Sequence, residues 1–143
     1  MRNCQLIAIV AVVTLCGLRV GALQTAPTET EYNAAMKEIG LSLGDAEGHI
    51  DARYWPETEA DGAALAELFE QVQAFWEARD TAAAAEIAGT AIAASRALRA
   101  AAAQDDYDAA RTAFGDLRGT CAACHQDYRE ETEDGYRVKP GEE

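Results

Sequence analysis

With 143 residues, 49% apolar and 26% charged, the chain has the size and composition of one globular domain, which argues against a disordered or collagen-like protein. Twenty-five acidic residues against twelve basic ones give a net charge of −13. That balance argues against nucleic acid and against an anionic membrane surface as partners, because both require a basic footprint.

Residues 1–22 read as a secretory signal peptide. Arg2 supplies the positive start, and Leu6 to Leu15 form an apolar run too short to span a bilayer. Val20-Gly21-Ala22 places small or modest residues before a cleavage point after Ala22. Cys16 offers an alternative as a lipoprotein cysteine, although Leu15 stands where such a site wants a small residue. An uncleaved N-terminal anchor is a third reading. Cleavage removes Arg2 and Arg19 and leaves ten basic against 25 acidic residues, a mature charge of −15. It also leaves two thiols (Cys121 and Cys124), one thioether (Met36) and two imidazoles (His49 and His125).

Residues 23–143 read as one all-α domain. From about Thr30, Tyr32, Met36, Ile39 and Leu43 step by four, three and four, which predicts a first helix, with Thr28 and Thr30 as candidate caps. Gly44, Asp45 and Gly48 are expected to end it. Residues 45–60 are expected to form a loop, with one helical turn around His49 to Arg53, because Trp55-Pro56 interrupts a helix. Asp61 is expected to cap a second helix whose broad apolar stripe runs from Leu65 to Trp76. A third helix starts at Asp80 or Thr81 and runs to about Ala103; its alanine richness favours helix and close neighbours. Asp105 and Asp106 open a fourth, in which Tyr107, Ala110, Phe114, Leu117, Cys121, Cys124 and Tyr128 step by three and four. Residues 130–143 are expected to be a polar, acidic tail. No stretch alternates convincingly as a strand. Short connections predict an antiparallel, up-down-up-down four-helix bundle.

The chemistry lies in Cys121-Ala122-Ala123-Cys124-His125. C-x-x-C-H is the attachment motif of c-type haem. Residues three and four apart share a helix face, so two thiols for the porphyrin vinyl groups and one imidazole for the iron point the same way. A thioredoxin-like C-x-x-C belongs at a strand-to-helix junction, and a zinc site wants four ligands; this chain offers neither context. A disulfide between Cys121 and Cys124 would distort the helix. A secretory leader fits, since such haem is attached after export.

These residues resemble the class II c-type cytochromes, the cytochrome c′ family with its low-spin, methionine-ligated branch. The segment from Ala113 to Arg129 is similar to the family's C-terminal signature, and Ala34 to Gly40 resembles its distal segment. The resemblance implies a four-helix bundle with one covalent haem c on Cys121 and Cys124, and His125 as proximal ligand. It places Met36 where the methionine-ligated branch has its sixth ligand; packing in the core is the other reading of that residue. Tyr32 stands four residues before Met36, where the family often has arginine. Arg129 is expected near the haem, offsetting a propionate or flanking the proximal imidazole, or else as an exposed helix-terminal charge. Tyr32 and Tyr128 are expected at the core edge, with a haem contact open to either. His49 is expected as a surface histidine. Phe69, Phe75 and Trp76 are expected as bundle core.

The leading functional expectation is a periplasmic single-electron carrier steered by its acidic surface toward redox partners with basic docking patches. The alternative is a five-coordinate haem protein that binds or senses nitric oxide or carbon monoxide. Enzymatic activity is not expected, because no distal His–Arg pair is visible. A homodimer through the first two helices is compatible with the pattern.

Overall fold

The computed structural model describes residues 25–133 and 135–139. The expected signal peptide, Cys16 and the cleavage point lie outside the described residues. The chain forms four helices, α1 (Glu29–Ala52), α2 (Trp55–Glu77), α3 (Ala82–Ala102) and α4 (Tyr107–Tyr128), followed by two strands, β1 (Arg129–Thr132) and β2 (Gly135–Val138).

Thr28 starts α1 with a capping box. Its hydroxyl accepts from the Glu31 N–H at 3.3 Å, and the Glu31 carboxylate accepts from the Thr28 N–H at 2.7 Å. Contrary to expectation, α1 runs through Gly44 and Gly48 to Ala52. Both glycines are exposed, so their cost is the ordinary helix penalty of about 1 kcal/mol each. The fully buried Ala46 and Ile50 between and beyond them offset that cost. Arg53, in the left-handed region at φ 57°, closes the helix.

The loop expected over residues 45–60 shrinks to Arg53 and Tyr54. Pro56 begins α2 rather than breaking it, because the first helical turn has no use for its missing N–H. Asp61 is therefore inside α2 and caps nothing. Asp106 does cap α4, accepting from the Ala109 N–H at 3.0 Å.

Consecutive helices pack as antiparallel neighbours. Small residues set the spacing between α2 and α3. A Cβ at Gly62 would sit 2.8 Å from the Arg99 backbone nitrogen. Ala84, Ala88, Ala91 and Ser95 of α3 are buried. Phe75, Ile50, Leu65, Leu98 and Leu117 form the fully buried centre. At the end of the bundle where α1 begins and α4 finishes, Tyr32 stacks on Phe75 at 4.1 Å. Trp76 meets Tyr128 there at 5.1 Å.

The interface between α1 and α4 is different. The two helices barely touch. Arg111 to Asp51 at 3.1 Å and Arg118 to Glu47 at 3.3 Å tie the second half of α1 to the first and middle turns of α4. Exposed ion pairs of this kind contribute little, so packing elsewhere holds the two helices.

β1 and β2 pair as an antiparallel hairpin, where a polar tail was expected. Gly135 turns it at φ 129°, a conformation other residues rarely adopt. Four-residue strands carry too short an alternation to be read from sequence. Val138 packs against the core.

Gly62 and Gly48 give opposite expectations. Gly62→Ala drives a methyl group into the α3 backbone and lowers stability by about 1–3 kcal/mol. Gly48→Ala meets open space and raises stability by up to about 1 kcal/mol. Thermal unfolding of both variants checks this; equal effects would remove the close α2–α3 approach.

Candidate functional site

Cys121, Cys124 and His125 occupy the last two turns of α4 and are half-buried. All three line one cavity of about 880 Å³. It opens where α1 and α4 fail to meet. Tyr32 and Met36 of α1, Phe69 of α2 and Ile87 of α3 line it too. One cavity thus brings together every candidate site residue: Cys121, Cys124, His125, Met36, Tyr32 and Arg129. Phe69 belongs both to the core, as expected, and to this wall.

Burial controls the titration of the site. It pushes the Cys124 thiol up to about 11, with Cys121 and Asp127 adding to the effect. It raises the Cys121 thiol also, against a hydrogen bond from Thr120. The Tyr32 hydroxyl is pushed up to about 12, first by burial and then by Cys124. The His125 imidazole is lowered by burial and by the Arg129 guanidinium. At neutral pH the imidazole is therefore neutral, with a lone pair free to bind a metal.

The charged lining is one-sided. Lys37, Arg118, Arg129 and Arg137 line the cavity, and among the described residues no aspartate or glutamate does. This holds in a chain with 25 acidic residues. Large apolar walls, two thiols, a neutral imidazole and a cationic rim fit a porphyrin that carries two carboxylates and an iron.

Other uses of the motif fit less well. Cys121 and Cys124 are separate thiols. They lie in the last two turns of α4, not at the start of a helix that follows a strand. Among the described residues no further His, Cys, Asp or Glu cluster is arranged to hold a metal ion.

His49 corrects an expectation. It lies on the last turn of α1, not in a loop, and its Nδ1 is 2.7 Å from an Asp61 carboxylate oxygen of α2. It is outside the cavity lining. Its raised pKa comes first from that hydrogen bond.

The family model described as Cytochrome C' matches residues 14–129. The chain belongs to the cytochrome c′ family. Its cofactor is haem c, one per chain and covalently attached. Cytochrome c′ from Thermochromatium tepidum is similar in fold, with a TM-score of 0.60 at 19% identity over 80% of this chain and 100% of that one. A second cytochrome c′, described as having an unusual ligand-controlled dimer dissociation, gives 0.55 at 20% identity with the same coverage of both chains. No curated protein sequence matches. No described helix is long and apolar enough to cross a membrane.

Sequence reasoning missed Lys37, Arg118 and the hairpin residues Tyr136, Arg137 and Val138 as cavity lining. Arg137 and Lys139 inside an otherwise acidic tail were the available signal.

The His49–Asp61 pair links α1 to α2 in a pH-dependent way. Because the folded pKa is raised, the pair's stabilisation is complete below histidine's ordinary value of 6.5 and is lost as pH rises through the folded value. His49→Gln is therefore expected to cost more stability at acidic than at alkaline pH. Denaturant unfolding across that range checks it, and a pH-independent difference would contradict it.

Proposed function

We propose that this cytochrome c′ is an exported, periplasmic single-electron carrier, with residues 1–22 as its cleaved leader. Cys121 and Cys124 hold the haem through thioether links, His125 is its proximal ligand, and Met36 is its sixth. The observation that carries the reading is that Met36 on α1 and His125 on α4 face one cavity, whose α4 wall also presents both thiols.

The haem iron supplies the one-electron chemistry. The chain's residues bind and tune it. The neutral His125 imidazole offers its ring nitrogen without first losing a proton. The Met36 thioether is a soft donor that favours ferrous iron and raises the potential. With the His125 nitrogen and the Met36 sulfur both held by rigid helices as its ligands, the haem would need little rearrangement between oxidation states, which would suit rapid transfer. Arg129 flanks the proximal imidazole, and Tyr32 walls the α1 side. Phe69, Ile87 and Ala91 keep water from the apolar faces. The acidic exterior, at −15 in the mature chain, attracts basic patches on redox partners, in weak and transient encounters. A homodimer through α1 and α2 would use the shallow groove between them, where Ala34, Ala35 and Leu68 are flanked by Glu31, Glu38 and Gln71. Nothing in this arrangement calls for a catalytic step.

Optical spectra test the sixth ligand. Wild-type protein is expected to be low-spin and unmoved by carbon monoxide, and Met36→Ala high-spin and gas-binding. A low-spin spectrum that survives the substitution removes Met36 from the iron. A wild-type spectrum that shifts at once with the gas replaces electron transfer by gas binding.

Docking has its own check. Electron transfer to a basic partner protein is expected to slow as salt rises, and a rate indifferent to ionic strength discards the steering.

A further inference from the structure

The family match ends at Arg129, the residue at which the β1–β2 hairpin starts. The hairpin thus lies beyond the matched residues, yet Tyr136, Arg137 and Val138 line the cavity. We infer that the hairpin completes the haem site: Arg137 pairs with a haem carboxylate, while Tyr136 and Val138 close that end of the cavity to water. The inference rests on the haem reading above and deepens it.

The hairpin is fixed to the bundle. The Lys139 N–H donates to the Tyr128 carbonyl at 3.0 Å. The Lys139 ammonium donates to the Gln126 carbonyl at 2.8 Å. Both acceptors belong to the last turn of α4, and Val138 adds an apolar contact with the core. A segment held at both its end and its edge acts as a wall.

Its two guanidinium groups are positioned with donors to spare. Arg137 and Glu130 face each other across the strand pair, and the Arg137 Nε donates to the Glu130 carboxylate. That bond uses one of five N–H donors and leaves the terminal nitrogens free for a second acceptor. Arg129 lies over the Tyr136 ring, 4.1 Å from its centroid. The stack orients both side chains. Arg129 also neighbours the His125 imidazole, so Arg137 is the hairpin cation left for a carboxylate.

Charge selects the ligand. The cavity lining has four cations and, among the described residues, no carboxylate; Glu47 and Glu130 outside the lining pair with Arg118 and Arg137 and leave each guanidinium with further donors. An anionic occupant satisfies that wall, and a guanidinium fork matches a carboxylate in two parallel hydrogen bonds.

The test is redox titration of the haem-loaded protein. A cation beside the haem disfavours the more positive ferric state, so Arg137→Gln is expected to lower the midpoint potential. It is also expected to raise the pH at which the potential responds to carboxylate titration. Arg137→Lys should restore most of the potential. Arg96→Gln, on α3 and paired with Glu70, should leave it unchanged. A chain ended after Arg129 should fall further in potential and be reduced faster by ascorbate. A wild-type potential in Arg137→Gln, or a shift no larger than that of Arg96→Gln, overturns the inference whatever the shortened chain does. So does a shift confined to Arg118→Gln, which would place the carboxylates at the other end of the cavity. Absence of covalent haem from the wild-type protein is a different result and would sink the functional reading instead.

Discussion

The structure depends on one interface that does not close. Small residues let α2 and α3 approach until a single added methyl group would strike backbone. The α1–α2 and α3–α4 contacts are continuous as well. Between α1 and α4 the apolar faces stay apart, and the core is completed only around a cavity of about 880 Å³. An apolar cavity of that size is costly to leave without contacts. A flat, largely apolar haem held on α4, as proposed above, would supply the contacts that α1 does not make. On that reading the cofactor would be a structural element of the bundle as well as its chemistry.

Charge is separated in the same economical way. Carboxylates dominate the exterior, while Lys37, Arg118, Arg129 and Arg137 gather at the cavity. An acidic surface serves long-range attraction to basic partners, and it is screened by salt. The four cavity cations are exposed at its rim, so they act on a bound anion and on the nearby imidazole through proximity rather than through burial. Separating the two lets one small chain be acidic to its partners and cationic to its cofactor.

Much of the fold was legible in the residues because helix signals are local. The seam from Tyr107 to Tyr128, the Asp106 cap and the alanine-rich third helix all appear where periodicity and capping place them. The boundaries that moved did so because tertiary burial overrode local rules. Gly44 and Gly48 did not end α1, since Ala46 and Ile50 are buried along the same helix. Pro56 opened α2, since a proline's meaning depends on whether it stands first or inside. Asp61, read as a cap, became the partner of His49, a pairing twelve residues apart.

By itself, the sequence determined the motif face. Cys121, Cys124 and His125 share one side of a helix by spacing alone, and no packing was needed to know it. It also determined the four-helix class and the acidic balance. The tertiary structure alone decided that Met36 and His125 line one cavity, that its cations come from three separate segments, and that residues of the last strand line it as well. Helical spacing propagates along one element and can be counted. A cavity is what remains between elements once their packing is complete, so its walls cannot be read from any one of them.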